Sequence, residues 1–143
     1  MVQAKNLNAP TSMISYCIEF GWYQSSDQPG HPFTDMFNVT FSEKQCQDIF
    51  GLKFDLKLLE KGIRRTNIFY GAKDIDVTNV VFVHGSFDPW HALGITEDHG
   101  TNKAILIPGT AHCANMYPAK EDDPPQLKHA REETAKTISD WLN

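Results

Sequence analysis

No stretch of this chain is long and apolar enough to span a bilayer: its uninterrupted hydrophobic runs are only a few residues each, against the roughly 20 that a membrane helix needs. Positive charge is also scarce. The 13 Lys and Arg are outnumbered by 18 Asp and Glu, a formal charge of -5, which excludes both the basic footprint of nucleic-acid binding and a cationic face for anionic lipid. There is no internal repeat and no low-complexity tract, so solenoids and tail-like interaction segments are excluded as well. The opening residues MVQAKNLNAP lack the charged-then-apolar order of a secretory signal, and the chain as written is not expected to enter the secretory pathway unaided. Cysteine is sparse and odd in number: Cys17, Cys46 and Cys113 cannot all pair with one another, and composition alone does not assign the pairs.

What remains is a chain of 143 residues, 41% hydrophobic, in the size range of one globular domain with a sizeable core. Asn38-Val39-Thr40 fits the N-glycosylation acceptor pattern within a polar, turn-rich stretch. A sequon flanked by Cys17 and Cys46 points to an oxidising compartment, and the absent signal then points to a truncated chain.

The first half is irregular. Residues 25–40, rich in Pro, Gly, Ser and Asp, read as a surface loop. Ser42 followed by Gln45 reads as a capping box for a helix through Phe50, with Gly51 as a left-handed stop and Cys46, Ile49 and Phe50 facing inward. Asp55 is the expected cap of a second helix, whose apolar positions Leu56, Leu59, Ile63 and Tyr70 continue until Gly71.

After Gly71 the pattern changes. NVVFVH, Asn79 to His84, is a nearly continuous β-branched and aromatic run, and Ala104 to Ile107 is a second one closed by Pro108 and Gly109. A helix-sized segment around Ala92 to Asp98 lies between them, so a parallel β-α-β crossover is expected. Asp123 is the expected cap of a final helix with Pro124, Pro125 and Gln126 in its first turn and an inward stripe of Leu127, Ala130, Thr134, Ile138 and Trp141. The fold class is therefore α/β, with a helical part over residues 1–70 and an α/β part over 71–143.

In open α/β sheets ligands gather beyond the carboxyl ends of the strands, which singles out the loops beginning at Gly85 and Pro108. The first is GSFDPWH, with Asp88 stiffened by Pro89; the second is PGTAHCANMYP, with His112 in a loop. Neighbouring strands are about 5 Å apart, so a carboxylate and an imidazole on adjacent loops can touch. A buried carboxylate bonded to the δ nitrogen fixes the tautomer of the ring and stabilises the imidazolium formed when the ring takes a proton from a nucleophile. Taken singly, Asp88 is also an ordinary turn residue and His112 an ordinary loop histidine. Among Ser12, Ser15, Ser25, Ser26, Ser42, Ser86 and Ser139 none sits in a G-x-S-x-G elbow, so the nucleophile is expected to lie upstream of this chain.

GSFDPWHALG and GTAHCANMYP, followed by LKHAREETAKTISDWL, closely resemble the C-terminus of the prolylcarboxypeptidase family of serine peptidases. YCIEFGWYQ, CQDIFG and TNIFYGAKD resemble that family's helical cap and its return into the core. The resemblance implies the C-terminal part of an α/β-hydrolase sheet plus a remnant of the cap, with Asp88 as the catalytic acid and His112 as the base. It further implies a Cys17–Cys46 disulfide, a proline-accepting pocket involving Trp90 and Trp22, a peptide substrate, and a full-length parent that can form a homodimer. No cofactor is implied. The family's serine and oxyanion hole have no counterpart here, and the chain alone is expected to be inactive. The implied activity is that of a serine-type exopeptidase cleaving after proline, either as a carboxypeptidase or, as WHALG favours, in dipeptidyl-peptidase fashion, against the alternative of a non-catalytic fragment or degenerate binding module.

His84, Asp88 and His91 bracket one loop and could offer zinc two nitrogens and an oxygen, but the spacing matches no standard zinc motif, and no metal site is expected. Ser86 as a replacement nucleophile lacks identifiable oxyanion donors. Cys113 reads as a redox-sensitive thiol, a small buried residue or the partner of an absent cysteine.

Overall fold

The computed structural model describes residues 11–27, 29–30, 32 and 35–143. The chain divides into two units, Met1–Ala72 and Lys73–Asn143, each considered by itself. Of the loop expected over residues 25–40, Gln28, His31, Phe33 and Thr34 lie outside the described residues.

In the first unit a short helix α1 (Thr11–Ser15) runs into one π-helical turn, Tyr16–Phe20. Helices α2 (Val39–Phe50) and α3 (Leu56–Tyr70) follow. Helix α2 starts three residues before the expected capping box. Asn38, in extended conformation, accepts the Phe41 amide at 3.1 Å, and Asp27 accepts that of Val39 at 3.1 Å. With two first-turn donors already satisfied there, Ser42 has no cap to supply and is buried inside the helix. Gly51 ends α2 at φ +107°, ψ 164°, a positive-φ state outside the left-handed helical region expected of it. Asp55 caps α3 as its sequence requires, accepting the Leu58 amide at 2.9 Å, while Glu43 of α2 accepts the Leu56 amide at 3.0 Å. Gly71 stops α3 in the left-handed region.

The core of this unit is Cys17, Cys46, Phe50 and Phe54, with Ile14, Ile18, Ile49 and Leu58 against it. Cys17 and Cys46 are joined in a disulfide. Gly62 lets α3 approach the π-turn: a Cβ there would run into the Ile18 carbonyl. Leu59 is buried on the inward face, whereas Tyr70, assigned to that stripe from sequence, is exposed because the last turn of α3 extends past the core.

The second unit is built on two parallel strands, β1 (Val81–Gly85) and β2 (Lys103–Ile107), paired in register from Val81 with Lys103 to Gly85 with Ile107. Buried Asn102 ties the entry to β1: its side chain accepts from the Val80 amide at 3.0 Å and donates to the Val77 carbonyl at 2.8 Å. Helix α4 (Pro125–Leu142) covers one face, burying Leu127 and Ala130 against Ile105 and Ile107. Full burial of side chains of this size contributes about 1.5–3 kcal/mol each. The outer part of the expected stripe is thinner: Thr134 and Trp141 are half-buried and Ile138 is exposed.

Two expectations are corrected here. The crossover is not a helix over 92–98 but a 3-10 turn, Pro89–Leu93, followed by extended chain. Gly94 breaks off at φ -83°, ψ 176°, and the His84 ring lies so close that a Cβ at Gly94 would collide with it. That contact is possible because Gly94 carries no Cβ. Asp123 does not cap α4 either. Pro124 occupies the cap position, and Asp123, one residue earlier, accepts the Lys120 amide at 3.0 Å and faces Arg131 Nε at 3.7 Å.

Candidate active site

Because β1 and β2 end level with each other, the loops leaving them run side by side. Their backbones are hydrogen-bonded together: Ser86 N donates to the Ile107 carbonyl at 3.0 Å and Phe87 N to the Thr110 carbonyl at 2.9 Å. Gly85 is required at this seam, since a Cβ would strike the carbonyls of Thr110 and Ala111. Two residues beyond Ser86 comes Asp88; two beyond Thr110 comes His112.

These two side chains meet. His112 Nδ1 lies 2.6 Å from Asp88 Oδ2, and the Trp90 amide donates to Asp88 Oδ1 at 3.0 Å, so both carboxylate oxygens are occupied. The Asp88 carbonyl accepts the His91 amide at 3.0 Å and lies 2.6 Å from the His91 ring Nδ1, which fixes the backbone of the turn. Asp88 is 5% exposed. Burial by itself would raise its carboxyl, but the bonds from His112 and the Trp90 amide, with the charges of His112 and His84, outweigh that and hold it below the ordinary carboxylate value. The His112 side chain remains 56% open, with its ring edge-on to Trp90 at 4.9 Å between centroids. An anionic carboxylate can only accept, so Nδ1 carries the proton and the neutral ring presents its lone pair at Nε2. Beyond His112, Arg131 of α4 donates to the carbonyls of Asn115 and Ala114 at 2.8 and 3.2 Å, anchoring the loop that carries the ring.

The other singled-out residues are placed as follows. Trp90 adjoins His112, whereas Trp22 belongs to the first unit, stacked on Phe20 at 5.0 Å. Asn38 accepts the Thr40 hydroxyl at 2.6 Å while capping α2. His84, Asp88 and His91 do not converge: the His84 ring lies against Gly94, His91 bonds the Asp88 carbonyl, and the carboxylate is held by His112. Among the described residues no group of three or more His, Cys, Asp or Glu could hold a metal ion. Cys113 is a free, half-buried thiol at φ +58°. A recess of about 320 Å³ lined by Lys73 and by Gly94 to His99 includes neither Asp88 nor His112. Gly85, Ser86 and Arg131, which hold the two loops, were not singled out for this role; only the glycine closing a β-branched run carried a local signal.

A buried carboxylate at one strand end, bonded to an open imidazole at the next, is the arrangement by which serine-type hydrolases hold their base. The comparisons with known proteins agree with that class. The family model Serine carboxypeptidase S28 matches residues 13–134, and the chain belongs to this family of serine peptidases. It is 35% identical over 127 residues to the thymus-specific serine protease of Mus musculus, covering 88% of this chain and 25% of that protein. It is 31% identical to the Homo sapiens protein of the same name, with 88% and 24% covered. To the lysosomal Pro-X carboxypeptidase of Bos taurus it is 29% identical, with 99% and 30% covered. The chain thus spans about a quarter of the length of the first two relatives. No helix among the described residues is long and apolar enough to cross a membrane.

Proposed function

We propose that this chain supplies the acid and the base of a serine-type exopeptidase, Asp88 and His112, to a protein whose nucleophilic serine is carried outside it. The observation that carries this reading is the 2.6 Å contact of His112 Nδ1 with the buried Asp88 carboxylate. In the assembled enzyme His112 Nε2 takes the serine hydroxyl proton as oxygen attacks the scissile carbonyl. Asp88 stabilises the imidazolium, and the same proton then passes to the leaving amine. Hydrolysis of the acyl-enzyme repeats the cycle with water in place of serine. The second unit is then the C-terminal part of an α/β-hydrolase sheet, and the first is the remnant of its cap.

Substrates are peptides cut after proline, in dipeptidyl-peptidase fashion. Trp90, beside the base, is aromatic surface of the kind that receives a pyrrolidine ring, and the family resemblance gives Trp22 of the cap remnant a like role. The disulfide, the sequon at Asn38 and the lysosomal and extracellular carboxypeptidases among the relatives support a secreted or lysosomal parent glycosylated at Asn38.

A fluorogenic Xaa-Pro substrate tests the reading. The purified chain is expected to give no turnover, because an aspartate and a histidine cannot form an acyl-enzyme. The chain joined to an upstream family segment with a glycine-flanked serine is expected to turn it over, and His112→Ala to abolish that turnover. Activity of the chain alone, or full activity of the joined protein after His112→Ala, overturns the proposal.

A further inference from the structure

Besides the Asp88–His112 contact, three bonds among the described residues tie the acid loop to the base loop, and two of them are backbone to backbone: Ser86 N to the Ile107 carbonyl and Phe87 N to the Thr110 carbonyl. Any residue could make those. The third uses a side chain. Ser86 Oγ accepts the Gly109 amide at 2.8 Å, from a glycine at φ +69° whose N–H the turn directs across the seam. Ser86 is half-buried.

We infer that Ser86 is a positioning residue for the acid–base pair: its hydroxyl fixes Gly109, three residues before His112, and thereby sets the imidazole onto the Asp88 carboxylate. This rests on the proposed roles of Asp88 and His112. Its physical basis is the shared seam. Ser86 and Asp88 belong to one turn, closed by the Asp88 amide on the Gly85 carbonyl at 3.1 Å. Gly109 and Thr110 belong to the other turn, in which the Thr110 hydroxyl donates to the Ile107 carbonyl at 3.0 Å. A bond between these turns removes the sliding motion that would change the distance from Nδ1 to Oδ2. Such a shift is costly at a reacting centre, where displacement of about 1 Å costs on the order of a hundredfold in rate.

The test is proton exchange on the full chain, read by NMR for the His112 Nδ1 proton, the Gly109 amide and the Ile105 and Ile107 amides. Ser86→Ala is expected to speed exchange at Gly109 and at His112 Nδ1 roughly fivefold each, the loss of one ordinary hydrogen bond, with the strand amides unchanged. Ser86→Thr, which keeps the hydroxyl, is expected to restore both. Where Ser86→Ala loosens the strands too, Ser86→Cys decides, because it keeps nearly the same volume with a weak acceptor; the same selective acceleration is expected. Faster exchange at Gly109 with an unaltered His112 proton overturns the inference, as does no change at either. A wild-type chain with no protected proton on His112 Nδ1 overturns the acid–base reading itself and leaves the Ser86–Gly109 bond to be judged by Gly109 alone.

Discussion

The two units hold their shape by different means. The first is tied covalently, Cys17 to Cys46, around a small aromatic core, and its helices start on side-chain caps from Asn38, Asp55 and Glu43. The second, among its described residues, has no crosslink. It relies on strand register, on Leu127 and Ala130 under the sheet, and on bonds between two loops at its end. The close carboxylate–imidazole contact lies in the second unit, where each loop is held by several bonds before Asp88 or His112 is reached. A crosslink stabilises a unit whatever its chemistry; a reactive pair requires its loops to be fixed to within tenths of an ångström.

The strongest way to sharpen this contrast is Asp88→Asn in the serine-bearing joined protein. It is expected to lower kcat by about 10⁴ while leaving the helical circular dichroism of the first unit unchanged, because the amide can present its N–H to His112 and favour the wrong tautomer. Next is loss of the disulfide. Cys17→Ser with Cys46→Ser opens a loop of sequence separation 29, which on the chain-entropy model destabilises the first unit by about 3–4 kcal/mol. Denaturant unfolding followed in the first unit measures it, and the His112 resonances of the second unit should be unmoved. Gly62→Ala should cost the first unit about 1–3 kcal/mol, since the added methyl meets the Ile18 backbone and not a movable side chain.

The smallest effect is set by pH. The Asp88 carboxyl is held below its ordinary value in the folded chain, so its contribution to stability is fully present above the unfolded value of about 4 and is lost as pH falls through the lower folded value. Unfolding of the second unit between pH 5 and pH 2, with and without Asp88→Asn, isolates this contribution. A variant as acid-sensitive as the native chain would assign the effect to other carboxylates.

Much of the frame was legible because its signals are local. Asp55 and Gly71 bracket α3, and the β-branched runs mark both strands and their parallel pairing. The contact of Asp88 with His112 was legible as well, since a carboxylate and a histidine each follow one of those runs. Features that depend on competition were not legible. Asn38 and Ser42 are both good caps, and only the position of Asp27 favours Asn38. The segment after Leu93 has enough residues for a helix, yet Gly94 turns extended against the His84 ring and the helix does not continue. The bond between Ser86 and Gly109 joins residues 23 apart in sequence and gives no periodic trace.

The most direct measurement is the ¹⁵N spectrum of the His112 ring across pH. A proton resident on Nδ1 with Nε2 unprotonated in the neutral form, and loss of that state in Asp88→Asn, is the result expected. A neutral ring protonated at Nε2, or one indifferent to the side chain at position 88, would contradict it.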